Sequence, residues 1–402
     1  MAILVRKVGL RNYKSIAECD VDLSDLTILV GRNGAGKSNF VDALRLTAQS
    51  LQSGLEYAIR ERGGIGEVRR RSGGHPNHFA ISLRIKIDEV TNGLYHFQIG
   101  AQEKAGFYVQ REEAVISHAD LTETHFRREK DSVVDKSEDL TAVPRVVGDA
   151  FLLAQLSGNA SMRPLYEALT GMTLYNINPA AIRVPQRHDR GDVLEHSGLN
   201  IAGVIKRLRD DQPDALDRIQ TYLSRIVPGI ESVEYASLRH FETLEFRQKV
   251  QENKHPWMFP AAAMSDGTLR SLGVLAALFQ FKHDGRQSPS LVAIEEPEST
   301  IHPAAAAVLM GALEEASVHA QVLVTTHSPD LLDTDAARRG SLLAVASLDG
   351  VSNIAPVDEA ALSAIQEGLY TPGELLRQDQ LQPKAPKSNS KAREPDLFGS
   401  AR

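Results

Sequence analysis

The sequence predicts an α/β fold of the P-loop NTPase type, extended by an antiparallel β-lobe and an inserted helical subdomain. Three observations carry that expectation. Gly31-Arg32-Asn33-Gly34-Ala35-Gly36-Lys37-Ser38 satisfies the phosphate-loop pattern GxxxxGK[ST]. The apolar, β-rich run Leu26 to Val30 precedes it, and Asn39 to Leu51 carries apolar residues at helical spacing. Two later apolar strands, Leu291 to Ile294 and Gln321 to Thr325, end in carboxylates or a histidine, where a parallel sheet presents its ligands. Backbone N–H groups and a helix N-terminus converge on the glycine loop, so phosphate oxygens belong there. Asn33, Gly34, Gly36, Lys37, Ser38 and Asn39 are the expected nucleotide contacts, and the loop alone does not separate ATP from GTP.

Composition narrows the setting. A chain of 402 residues with 42% hydrophobic residues can bury one or two cores. Lys and Arg number 45 against 52 Asp and Glu, a net charge of −7, so any nucleic-acid contact needs a local basic patch. The single Cys19 excludes an internal disulfide, reads as a buried structural thiol and fits a reducing cytoplasm. The N-terminus does not read as a signal peptide, and no run approaches the ~20 apolar residues that cross a bilayer. The longest apolar stretch, Leu272 to Phe281, reads as a buried helix.

Along the chain, residues 1–147 form an expected N-terminal lobe. Short strands over residues 2–30 feed the phosphate loop, and an antiparallel set follows at Phe79 to Ile87, Tyr95 to Ile99, Phe107 to Val109 and Ala114 to Ile116. Thr91-Asn92-Gly93 and Lys104-Ala105-Gly106 read as turns. Residues 148–260 form the helical insertion, with helices at Ala150 to Leu156, Met162 to Leu169, Ile201 to Leu208 and Ala215 to Ile226, then short strands at Ser232 to Tyr235 and Leu244 to Phe246. Residues 261–379 return to α/β. The tail 380–402, rich in Lys, Pro, Ser and Gln, is expected to be disordered.

In Leu291-Val292-Ala293-Ile294-Glu295-Glu296-Pro297 a buried strand delivers adjacent carboxylates, a Walker B element. Phosphoryl transfer needs Mg²⁺ between the β- and γ-phosphates, held by the Ser38 hydroxyl and an acid, the role that suits Glu295. Glu296 is the candidate general base for the attacking water, and Lys37 neutralises charge at the β/γ bridge. Met264-Ser265-Asp266-Gly267-Thr268 opens an apolar helix that Ser265 can cap. Thr326-His327-Ser328-Pro329 places a histidine at the end of another strand, able to sense a γ-phosphate.

In that order these pieces resemble the ABC-type ATPase heads, most closely those of the RecF, OLD and SMC branch. The resemblance runs from residue 2 to about residue 375 and rests on Leu10-Arg11-Asn12-Tyr13-Lys14-Ser15, the phosphate loop with Asn39, Ser265 to Arg270, Glu295-Glu296-Pro297-Glu298 with Ile301-His302-Pro303, and Thr326 to Pro329. It implies an ABC-ATPase-like head that hydrolyses ATP with Mg²⁺. It also implies a head-to-tail homodimer, in which Ser265 and Gly267 act in trans as the signature. The family's glutamine-loop residue, a further metal contact, falls on Gln155, with Gln110 second. Arg11 and Lys14 reach the nucleotide from the first β-turn or are solvated strand-end charges. Glu295 replaces the usual aspartate, Asp266 a glycine and Thr268 a glutamine, which points to slow turnover.

Residues 39–264 hold no sustained heptads, so no long SMC arm is expected, and no nuclease module of its own is expected either. Basic residues cluster at Arg60, Arg62, Arg69, Arg70 and Arg71 among glycines, with Arg127, Arg128 and Lys130 beyond; Arg69, Arg70 and Arg71 are the expected contacts to double-stranded DNA. The functional expectation is a nucleotide-gated homodimeric switch in DNA repair or antiviral defence. The alternative is an ATP-dependent scaffold that binds a separate nuclease or toxin, encoded nearby, without touching DNA.

Overall fold

The computed structural model describes residues 3–72, 76–102, 106–141, 143–145, 148–250, 256–281, 289–335, 337 and 340–385. Strands β1 (Leu4–Tyr13) and β2 (Ile16–Asp22) form a hairpin that leads into β3 (Leu26–Val30), the phosphate loop and helix α1 (Lys37–Ser53). Two short helices follow, α2 (Leu55–Glu61) and α3 (Ile65–Val68). An antiparallel meander then runs through β4 (His78–Lys86), β5 (Thr91–Ala101), β6 (Phe107–His118), β7 (Glu123–Glu129) and β8 (Ser132–Lys136). Thr91-Asn92-Gly93 therefore starts β5 instead of turning, and the two expected strands after residue 106 are one, β6, whose pairing shifts register at Gln98/Ile99. The turn expected at residues 104–106 falls largely outside the described residues.

Helices α4 (Leu152–Gln155) and α5 (Arg163–Thr170) precede β9 (Met172–Tyr175), and α6 (Pro179–Arg183) and β10 (Gln186–Arg187) precede α7 (Ile201–Asp211) and α8 (Pro213–Ile226). A small antiparallel sheet joins β10, β11 (Ile230–Leu238), β12 (Phe241–Gln248) and β13 (Trp257–Pro260). The chain then forms α9 (Asp266–Phe279), β14 (Leu291–Glu295), α10 (Ala306–Ser317), β15 (Val322–Thr326) and the hairpin β16 (Ser341–Leu348) and β17 (Val351–Pro356).

Among the described residues one 13-stranded sheet runs β8-β7-β6-β5-β4-β1-β2-β17-β16-β3-β15-β14-β9. Its nucleotide half, β16-β3-β15-β14-β9, is parallel. Alternate side chains there serve two cores. Ile28, Val30, Val292, Ile294, Val322 and Val324 pack with α7 to α10, and Leu29, Leu291, Ala293 and Leu323 pack with α1, α5 and the β-lobe. Burial on both faces explains why these strands read as unbroken apolar runs, each such side chain contributing about 1.5–3 kcal/mol on leaving water.

Some residues read as part of the helical stretch thus belong to the main sheet, because β9 lies parallel to β14 at its edge. At the other end, residues 380–385 carry structure: Leu381 is buried and Pro383 pairs with Val357. Residues 386–402 of the expected disordered tail lie outside the described residues. Cys19 is buried against the Ile354 carbonyl, and burial pushes its thiol pKa up. No described helix is long and apolar enough to cross a membrane.

Candidate nucleotide site

The phosphate loop leaves β3 with its crest exposed at Arg32, Asn33 and Gly34 and its root buried. Lys37 folds back so that its ammonium donates to the carbonyls of Gly31 at 2.7 Å and Arg32 at 3.1 Å. Gly36 has φ of 111°, and a Cβ there would stand 2.1 Å from the Ser352 hydroxyl. Only glycine fits such backbone beside such a neighbour. That hydroxyl donates to the Ala35 carbonyl at 2.6 Å and meets Ser15 Oγ at 2.6 Å, and Ser15 accepts from the Asn39 amide at 2.7 Å. The loop is thereby clamped between the β1–β2 turn and the start of β17.

The acid strand comes alongside. Burial raises the Glu295 pKa, and the neighbouring Ser38 hydroxyl of the phosphate loop opposes the rise. Burial likewise pulls the Lys37 ammonium below its ordinary pKa, opposed by the carboxylates of Glu296, Glu298 and Glu295. Glu296 adopts left-handed backbone, φ 44°, where an L side chain is strained, as residues at functional sites often are. Its N–H donates to the Thr325 carbonyl at 3.0 Å, Ser299 Oγ donates to its Oε2 at 3.3 Å, and His327 Nδ1 lies 3.2 Å from its Oε1. Lysine, serine, paired acids and histidine thus converge at the C-terminal ends of β3, β14 and β15.

Ser265 caps α9, its hydroxyl accepting from Thr268 N–H at 3.1 Å. Ser265 and Asp266 are exposed, and Arg183 holds Asp266 by an ion pair. Among the described residues no hydrogen bond joins Ser265 or Gly267 to residues 31–39. Gly267 sits where a Cβ would come within 2.5 Å of the Thr300 carbonyl, so α9 presses directly onto the loop that follows the acids. Arg270, one turn on, is buried and donates to the carbonyls of Ile177, Glu295 and Glu296.

Other predicted residues lie elsewhere. Gln155 ends α4, whose Leu152 and Leu153 N–H groups are held by the buried Glu112 of β6, and among the described residues no hydrogen bond joins Gln155 to Ser38 or Glu295. Gln110 accepts from Gln98 within the β-lobe. The segment adjoining the acids is instead Asn176 to Asn178: Tyr175 pairs with Ile294, and Arg270 binds the Ile177 carbonyl. Lys14 pairs with Asp42 at 2.5 Å and Arg11 with Glu18 at 3.2 Å, so both are engaged at the strand turn.

The basic cluster divides. Arg62 is bound to Asp42, and Arg128 is fully buried against Glu112, so neither faces a phosphate. Arg69 donates to the Pro76 carbonyl at 2.9 Å, Arg71 pairs with Glu67, and the Arg70 N–H bonds the Asn12 carbonyl at 2.7 Å. Ser352 and Asp42 take part in the site without a signal in the sequence: each is an ordinary residue whose partner is distant, 317 positions away for Ser352 and Ala35.

Among the described residues no three His, Cys, Asp or Glu side chains could hold a metal by themselves. The Ser38 hydroxyl and Glu295 carboxylate are hard oxygen donors, which fits a Mg²⁺ that takes its remaining oxygens from phosphate and water.

Two family models match the sequence. One, described as "AAA ATPase domain", covers residues 4–133; the other, described as "AAA domain, putative AbiEii toxin, Type IV TA system", covers residues 181–333. In fold, the chain is similar to an SMC head bound to the C-terminal winged-helix domain of ScpA, with a TM-score of 0.52, 15% identity, and 90% of this chain and 99% of the other covered. An SMC head with an extended coiled coil, bound to the C-terminal domain of ScpA derived from Pyrococcus furiosus, gives a TM-score of 0.52 at 12% identity, covering 91% of this chain and 99% of that one. The chain thus matches AAA ATPase-domain models over two segments and shares the fold of SMC heads. No curated protein matches this chain in sequence. Its nucleotide half carries the motifs in the order the head fold requires.

Proposed function

We propose that this ATPase head hydrolyses ATP and acts as a nucleotide-gated homodimeric switch. The observation that carries the reading is His327 3.2 Å from Glu296 at the ends of β15 and β14, beside the phosphate loop that leaves the neighbouring β3. Glu296 orients and polarises the attacking water, Lys37 neutralises charge on the β/γ bridge, and His327 stands against the γ-phosphate. Asn33, Gly34, Gly36 and Asn39 line the phosphates. Mg²⁺, held through Ser38 and Glu295, would neutralise phosphate charge when bound. The exposed Ser265 at the start of α9 supports the use of Ser265 and Gly267 by a second copy, whose nucleotide they would complete. ATP then holds the dimer, and hydrolysis releases it.

In this reading the switch serves DNA repair or antiviral defence in the cytoplasm, with Arg69, Arg70 and Arg71 against DNA backbone. The toxin-system wording of the family model over residues 181–333 favours the second reading, an ATP-gated scaffold for a separate nuclease or toxin effector. Phosphate release and molar mass, measured with and without ATP and Mg²⁺ on wild type and Glu296→Gln, test the proposal. A wild type that releases phosphate and a variant that stays dimeric with ATP support it. A chain that remains monomeric with ATP in both forms sinks it.

A further inference from the structure

We infer that Glu298 and Thr326 form a positioning couple that sets Glu296 and His327 for hydrolysis; the inference rests on the ATPase reading above. Thr326 is fully buried at the end of β15 and joins three segments. Its carbonyl accepts from the N–H of Gly31, the first residue of the phosphate loop, at 3.3 Å. Its hydroxyl donates to Glu298 Oε1 at 2.6 Å and accepts from the Ser328 N–H at 3.0 Å. Glu298 lies two residues after Glu296, and Ser328 directly follows His327. One hydroxyl therefore ties the acid turn to the histidine turn at the root of the nucleotide loop. Glu298, His327 and Ser328 also share the wall of a 480 Å³ cavity next to these turns.

The physical case is geometric. Glu296 sits on a strained left-handed turn, and His327 reaches it from a different strand, so their 3.2 Å separation depends on how the two turns are held together. A buried hydroxyl bonded to a carboxylate is the strong, directional kind of link that can hold them. Neither Glu298 nor Thr326 needs to touch the substrate.

Steady-state hydrolysis and affinity for a non-hydrolysable ATP analogue, measured on wild type and variants, test this. Thr326→Val, which keeps shape and removes the hydroxyl, should lower kcat about 10-fold or more while KM and analogue affinity stay within about 2-fold. Thr326→Ser, which restores the hydroxyl, should recover most of the rate. Glu298→Ala should follow the valine variant, and Glu298→Gln, which keeps an acceptor, should follow serine. A Thr326→Val enzyme with wild-type kcat overturns the inference while leaving the ATPase reading intact, as does a serine variant that binds the analogue normally yet stays as slow as valine. A wild type that binds ATP and never hydrolyses it overturns the reading beneath and this inference with it.

Discussion

His327 Nδ1 stands 3.2 Å from Glu296 Oε1, although the two residues end different strands, β15 and β14. The pairing follows from register: Glu295 is opposite Thr325, so the turns that follow leave the sheet side by side.

If Glu296 supplies the base, Glu296→Gln should lower the rate of phosphate release about 10²–10⁴-fold and leave ATP binding in place. A phosphate-release assay beside a nucleotide-binding titration reads both. Unchanged turnover removes Glu296 from that role.

Gly267 has no room for a side chain. Gly267→Ala would put a Cβ 2.5 Å from the Thr300 carbonyl, and the clash should cost about 1–3 kcal/mol and shift the Ser265 helix start. Thermal melts of the isolated protein should show the loss, and ATP-dependent dimer formation should weaken with it.

Arg270 satisfies three carbonyls at once, that of Ile177 buried and those of Glu295 and Glu296 part-buried. Arg270→Met should leave them unpaired and destabilise the fold by about 2–4 kcal/mol, while Arg270→Lys, without the planar fork, should recover only part. Urea unfolding midpoints measure the difference. Equal midpoints for arginine and methionine would contradict the assigned contacts.

The His196 imidazole has its pKa lowered in the fold. Burial lowers its pKa, the bond from its ring to the Leu174 carbonyl opposes this, and Arg45 close to Nε2 lowers it further. The unfolded chain takes up this proton near pH 6.5, above the folded value, so stability falls as pH drops through 6.5 toward the lowered pKa. Below that lower value the loss is complete. Melting temperatures of wild type and His196→Gln across pH 7 to 5 should show a shallower acid-side decline in the variant.

Neutralising Arg69, Arg70 and Arg71 together should weaken double-stranded DNA binding and flatten its dependence on salt by about one unit of log–log slope per lost phosphate contact. Mobility shifts over a salt series provide the measurement. Wild-type protein that fails to shift DNA at low salt favours the effector-scaffold reading.

Local chemistry made most of the site readable. The loop, the acids after β14, the Ser265 cap and the histidine after β15 each carry their signal within a few residues, so spacing alone locates them. Strands β7, β8 and β9 were harder. Charged residues interrupt the alternation of β7 and β8, and β9 is four residues long amid helical patterns, so only pairing reveals them. Residue type in the sequence points the glutamine-loop role to Gln155, whereas parallel pairing with β14 brings Asn176 to Asn178 beside the acids. Arg62 and Arg128 looked like phosphate contacts because sequence shows charge and conceals the buried carboxylate each one meets.

The seryl side chain that locks Gly36 follows Ala35 by 317 positions in the chain. A ribosome that has finished β3 and α1 has made every residue of the nucleotide loop but not Ser352, whose hydroxyl braces Ala35 and Ser15. Nascent chains ending before that position lack the brace, so firm capture of a nucleotide would wait until β17 has been made.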